Sequence, residues 1–187
     1  MTMETKQNTE KTIDRSNTKT IDDDKPALYT PSHIANYFLA KKNHDIDNLK
    51  LNKLVYISYG WGTAIGIELF DEPIQAWKLG PVIPSLYHEF KHFGSKIITE
   101  MSKIYNLKEN EVIIPEVEKG TDSFTLLKKI ADNYGKISSL DLVDITHRED
   151  TPWNKTYYDE KVYKHTNKFH LEIPKDVIKE YYSSYRK

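Results

Sequence analysis

His88, Glu89 and His92 fit the pattern H-E-x-x-H. On a helix, histidines four residues apart put both imidazoles on one face, where they can hold Zn²⁺ while the glutamate activates a bound water. A zinc site also needs a third protein ligand and neighbours that orient the first two. Glu100, Glu111 and His147 are the candidates, in no recognised spacing. The local helix should stop at Gly94, so two solvent-facing histidines are the simpler reading, and a zinc peptidase stays as the enzymatic alternative. His147 also lies close in sequence to Asp141, Asp144 and Glu149, which could orient an imidazole for proton transfer. The chain has no cysteine and no nucleophile-elbow serine, so no nucleophilic triad can be assembled, and a structural hydrogen bond at a helix end is the preferred role. Neither G-x-x-x-x-G-K-[ST] nor G-x-G-x-x-G occurs. The residues therefore predict no catalysis, no metal and no cofactor.

The elements that would position these groups are mostly helical. Thr30 can cap a helix beginning at Pro31, with Ile34, Ala35, Phe38 and Leu39 on its core side and Lys41 and Lys42 at its negative end. Asp47 or Asn48 can open a second helix with Leu51, Leu54, Val55, Trp61 and Ile65 facing inward. In it, Gly62 and Gly66 would let a neighbouring backbone approach. That helix should be central and enclosed. A turn at Asp71-Glu72-Pro73 leads into a strand over 74–79, ended by Gly80-Pro81. Pro84 starts a third helix. Ile97–Ile98 and Val112–Ile114 are small strand candidates, with 101–110 ambiguous. Phe124, Leu127, Ile130, Ala131 and Tyr134 recur with helical spacing up to Gly135, and Ser138 with Asp141 resembles a capping box before Leu142, Val143 and Ile145. Thr151-Pro152 begins a short helical turn around Trp153. A strand over 169–173 precedes a final helix in which Ile178, Tyr181, Tyr182 and Tyr185 make an apolar stripe. The expected fold class is α+β: a mainly helical single domain over 28–187 with a small β-sheet, behind a disordered polar tail over 1–27 that is too poor in apolar residues to offset the entropy of ordering.

The 187 residues carry a formal charge of −1, so no long-range field draws the chain to nucleic acid or to an anionic membrane. Lys50, Lys53, Lys128 and Lys129 read as a solvated helix surface rather than a nucleic-acid face. The longest uncharged run, the fourteen residues from Leu54 to Ile67, is shorter than the ~20 that span a bilayer. The start of the chain has no apolar signal-peptide core, and the lack of cysteine suits a reducing cytoplasm. Thirteen tyrosines and three tryptophans favour a binding surface.

One combination is more specific than any catalytic pattern. Residues 49–56, Leu-Lys-Leu-Asn-Lys-Leu-Val-Tyr, with Trp61 and then 70–87, which contain Ala76-Trp77-Lys78-Leu79-Gly80-Pro81-Val82, are followed by Thr146-His147 and Pro152-Trp153. Over about residues 28–185 this order resembles the SocA-like Panacea antitoxin domain family, which includes phage-associated GepA-like proteins. The resemblance marks Trp77, Gly80, Pro81, Val82, His147, Pro152 and Trp153 as signature residues. It implies a cytoplasmic, non-enzymatic antitoxin, encoded on phages or mobile elements, that neutralises a cognate protein toxin by direct binding. It also implies a second role, an adaptor that delivers the toxin to a ClpXP-type protease. Gly80 permits a backbone conformation that other residues avoid, and Pro81 fixes the exit direction; Trp77 and Trp153 are expected mainly in the core. Lys78, Tyr87, Tyr181, Tyr182 and Tyr185 are the candidate partner contacts, although the last helix could instead dock on its own domain.

Overall fold

The computed structural model describes residues 29–41, 44–107, 110–158 and 171–186. The tail expected over 1–27, Lys42 and Phe169 lie outside them. The described residues form a mainly helical α+β domain: α1 (Pro31–Leu39), α2 (Asn48–Ile65), β1 (Gln75–Trp77), β2 (Gly80–Val82), α3 (Pro84–Phe90), β3 (Ile104–Asn106), β4 (Glu111–Ile113), α4 (Asp122–Tyr134), α5 (Ser139–His147), α6 (Pro152–Tyr157), β5 (Leu171–Glu172) and α7 (Lys175–Ser184).

α2 is the axis. Asp47 caps it by accepting from the Lys50 N–H at 2.7 Å, and Gly66 ends it in the left-handed conformation at φ 82°. Every residue from Lys50 to Gly60 is buried, with α1, α3, α4, α5, α7 and β2 packed around it. A helix enclosed on all sides cannot turn a polar face to water, so its polar residues must find partners inside. Gly62 meets the Ile67 carbonyl that curls back over it, whereas a Cβ on Gly66 would meet nothing. The close approach is made at Gly60, where a Cβ would run into the Tyr182 ring of α7. Ile65, expected on the core side, is exposed at the rim of a depression between α2 and α4.

Gly80-Pro81 does not end the first strand; it begins a second. β1 and β2 form an antiparallel hairpin in which Trp77 pairs with Gly80 and Ala76 with Pro81, leaving Lys78 and Leu79 as the turn. The sheet order is β2-β1-β5, so Pro81 sits on an edge strand, where a residue without an N–H is tolerated. Ile97–Ile98 is not a strand. Ile98 plugs the core as part of a loop, its N–H bonded to the Ile46 carbonyl at 2.8 Å. The ambiguous stretch supplies β3, which pairs with β4 in an arm carrying exposed Tyr105, Leu107 and Val112. Both feet of that arm are tied by one buried side chain. Asn36 accepts from the Ser102 N–H at 2.8 Å and donates to the carbonyls of Ser102 at 3.0 Å and Pro115 at 2.9 Å. Ser138 caps α5 as expected, accepting from the Asp141 N–H at 3.2 Å while its hydroxyl donates to the Asp141 carboxylate at 2.6 Å.

Candidate functional site

Toward the hairpin, α2 presents three buried polar side chains within its first two turns. Asn48 donates to the Tyr87 carbonyl at 3.1 Å, Asn52 accepts from the Ile83 N–H at 3.1 Å, and Lys53 Nζ donates to the Pro81 carbonyl at 2.9 Å. Asn52 also donates to the Asn48 carbonyl and Oδ1, both at 3.0 Å, so the two amides orient each other. These side chains hydrogen-bond backbone atoms of the hairpin's exit and of α3, and thereby set the position of the chain from Gly80 to Tyr87. Lys53 was expected on a solvated surface and is instead 0% exposed. The reason is the hairpin, which closes over it. Gly80 is needed there twice: its φ is +104°, and a Cβ would lie 2.7 Å from Lys53 Cε and 3.1 Å from Thr146 Oγ1.

The late signature segment closes the same junction from the other side. Thr151 caps α6, accepting from the Asn154 N–H at 3.2 Å, while its hydroxyl donates to the Thr146 carbonyl at 2.9 Å. Asn154 donates to the His147 carbonyl at 3.2 Å. This tight fold-back presents Trp153, whose indole N–H donates to the Trp77 carbonyl at 2.8 Å. The indole is stacked on His147 at 3.6 Å with planes 3° apart, and on Tyr157 at 4.8 Å. The Lys78–Leu79 turn is thus anchored on both flanks, by Trp153 before it and by Lys53 after it.

Burial lowers the Lys53 ammonium to a pKa of about 7. The imidazole of His147 is held below its ordinary range, first by burial and then by the Lys53 charge, against the pull of Asp144 and the Leu79 backbone. Its Nε2 is buried without a hydrogen-bond partner. A lysine near neutral pKa could serve as a nucleophile or base in an open site. Here it is sealed, so its work is positioning.

The H-E-x-x-H residues do not converge. The α-helix ends at Phe90 and tightens into a 3₁₀ turn over 91–93, so His92 is off the α-helical register of His88. His92 Nε2 faces Glu100 at 3.2 Å, Glu89 accepts from the Ser102 hydroxyl at 2.6 Å, and His88 lies against the Tyr87 and Trp77 rings. Among the described residues no group of three His, Cys, Asp or Glu side chains could hold a metal ion.

The expected contact residues fall in two places. Lys78 is exposed in the hairpin turn, and Tyr87, half-buried on α3, packs its ring 4.8 Å from Trp77. The stripe of α7 faces inward. Tyr182 is 6% exposed, edge-on to Tyr56 and Trp61, while Tyr181 is half-buried and Tyr185 exposed with its hydroxyl 3.2 Å from Asp150. The amphipathic helix thus covers its own domain, and only its edge reaches solvent.

The family model described as "Antitoxin SocA-like, Panacea domain" matches residues 51–154, more than half of the 187 and the whole junction from Lys53 to Trp153. The chain belongs to that family. Antitoxin SocA of Caulobacter vibrioides (strain NA1000 / CB15N) is 29% identical to it over 110 residues, 58% of this chain and 58% of that protein. The matched part therefore spans somewhat over half of that relative's length. No solved structure matches.

In this Panacea domain the two signature segments are the two halves of one clamp, with Gly80, Pro81 and Val82 buried between them and Trp153 as its bolt. Sequence reasoning marked those residues, and the resemblance ran through Asn52, Lys53 and Thr146, but the buried positions of these three and of Asn48 at the junction were missed. A signal was present. Asn52-Lys53 sits between Leu51 and Leu54-Val55 in a helix expected to be enclosed, and enclosed polar residues require internal partners. No helix among the described residues is long and apolar enough to cross a membrane.

Proposed function

We propose that this protein is the antitoxin of a toxin–antitoxin pair, acts in the cytoplasm, and neutralises a cognate protein toxin by binding it directly rather than by chemistry. The observation that carries this reading is the match to the SocA-like Panacea family across the clamp. The geometry agrees with it: Asn48, Asn52 and Lys53 spend their polar groups on holding the chain around a surface turn in place, and the near-neutral amine of Lys53 is closed to any substrate. The test is coexpression with the reading frames beside this gene. One of them should arrest growth alone, grow normally with this protein, and copurify with it as a stoichiometric complex. Failure of rescue against every neighbouring frame would overturn the reading.

A further inference from the structure

Beside the Lys78–Leu79 turn, between the hairpin and α3, lies a groove of about 440 Å³. We propose that this groove is where the toxin docks, and that it receives an aliphatic or aromatic side chain of the partner flanked by carboxylates. The proposal rests on the antitoxin reading above and names its surface.

Four observations carry it. The groove's walls are largely apolar, formed by Trp77, Leu79, Val82 and Tyr87. Leu79 is 53% exposed at its lip, although the backbone on either side is pinned by the Trp153 and Lys53 bonds. An exposed leucine on a rigid turn is already ordered for contact, so a partner loses little conformational entropy in meeting it. The polar side chains at the groove's base are spent within the chain: Asn48 on Tyr87, Asn52 on Ile83, and Asp47 on the Lys50 N–H and the Ser139 hydroxyl. What remains for a ligand is apolar surface, the exposed Ser95 hydroxyl and two exposed cations, Lys78 and Lys91, neither cation in an ion pair among the described residues. The complement of that pattern is an apolar anchor between acidic residues, with the charges setting the association rate and its salt dependence.

Two arms test it on the full chain. In the first, the probe is the synthetic peptide Ac-Glu-Asp-Leu-Phe-Asp-Glu-NH₂, with Ac-Lys-Lys-Leu-Phe-Lys-Lys-NH₂ as its charge-reversed control. The acidic peptide should shift the amide resonances of residues 77–80, 82 and 87–91 and lose at least tenfold in affinity against Lys78→Glu/Lys91→Glu, and the basic one should do neither. Shifts elsewhere, or no shift, would overturn the proposal. So would binding seen only after deletion of residues 1–26, since the chain's own Ile21-Asp22-Asp23-Asp24 would then be the occupant. In the second arm, the toxin rescued by the wild type is coexpressed with the double variant. Rescue should fail and affinity should drop at least tenfold with the melting temperature unchanged, while Lys78→Arg/Lys91→Arg retains both. Full neutralisation by the Glu variant would overturn the groove and leave the antitoxin reading intact. A wild type that rescues from nothing would do the reverse, with the peptide arm still deciding the groove.

Discussion

The two flanks of α2 are both buried, yet they hold their neighbours by different means. Toward the hairpin, Asn48, Asn52 and Lys53 make directed hydrogen bonds to named backbone atoms. Toward α7, Tyr56, Gly60 and Trp61 meet Tyr182 mainly by shape, ring edge against ring face over a missing Cβ, and a directed bond comes only past the end of α7, where Arg186 donates to the Ala64 carbonyl at 2.7 Å. A hydrogen bond has a narrow geometry and fixes its partner to tenths of an ångström, while apolar packing excludes water with less regard for angle. The directed seam therefore lies under the surface turn that borders the proposed docking groove. The packed seam lies under a helix whose task is to complete the core.

That contrast can be broken in four places. Trp153→Ala strikes the directed side hardest, removing a buried indole and its bond to the Trp77 carbonyl. We expect a loss of about 3–5 kcal/mol in urea unfolding and loss of toxin binding as well. Gly60→Ala strikes the packed side. The new methyl has no room beside the Tyr182 ring, and overpacking should cost about 1–3 kcal/mol while toxin affinity, measured below the melting transition, stays within twofold. An equal loss of affinity would erase the distinction between the seams.

Lys53→Met sharpens the contrast through pH. Folding holds the amine near a pKa of 7 against its ordinary 10.5, so between those values the unfolded chain carries the extra proton. Stability from this group accordingly rises with pH across that window, by about 1.4 kcal/mol per unit, and is lost as pH falls toward 7. The depressed His147 acts in the same direction at lower pH, since it too must fold neutral. The variant leaves the Pro81 carbonyl without its donor, a penalty of about 1–3 kcal/mol. Urea titrations should show the wild type ahead at pH 9 and the gap closing toward pH 7. A gap that does not change with pH would mean that Lys53 does not fold uncharged. Smallest of all, Tyr185→Phe removes an exposed hydroxyl near Asp150 and should move stability by less than about 0.5 kcal/mol.

The packed seam was the legible one. Ile178, Tyr181, Tyr182 and Tyr185 follow helical spacing, and that period alone predicts an amphipathic helix with something to cover. The caps at Asp47, Ser138 and Thr151 were legible too, because a capping side chain bonds to backbone two or three residues away. The directed seam was not. Lys53 meets Pro81 across 28 positions, and Trp153 meets Trp77 across 76. No local pattern distinguishes a lysine that will be roofed over from one on a wet surface; only the family signature marked the hairpin as special, without saying what held it. Gly80-Pro81 read as a stop because both residues break ordinary strands; the glycine marked a backbone conformation that other residues avoid, but not that the chain uses its positive φ there to double back into a second strand.

Asn36 has a consequence of another kind. One amide grips Ser102 and Pro115, so the stretch between them leaves the domain and returns at a point fixed independently of its own length. The cost of closing such a loop grows only with the logarithm of its size, about 0.6 kcal/mol per doubling. The core is blind to what is inserted there. With Leu107 already 85% exposed, the arm is a cassette whose sequence and length can change without disturbing the geometry of the clamp.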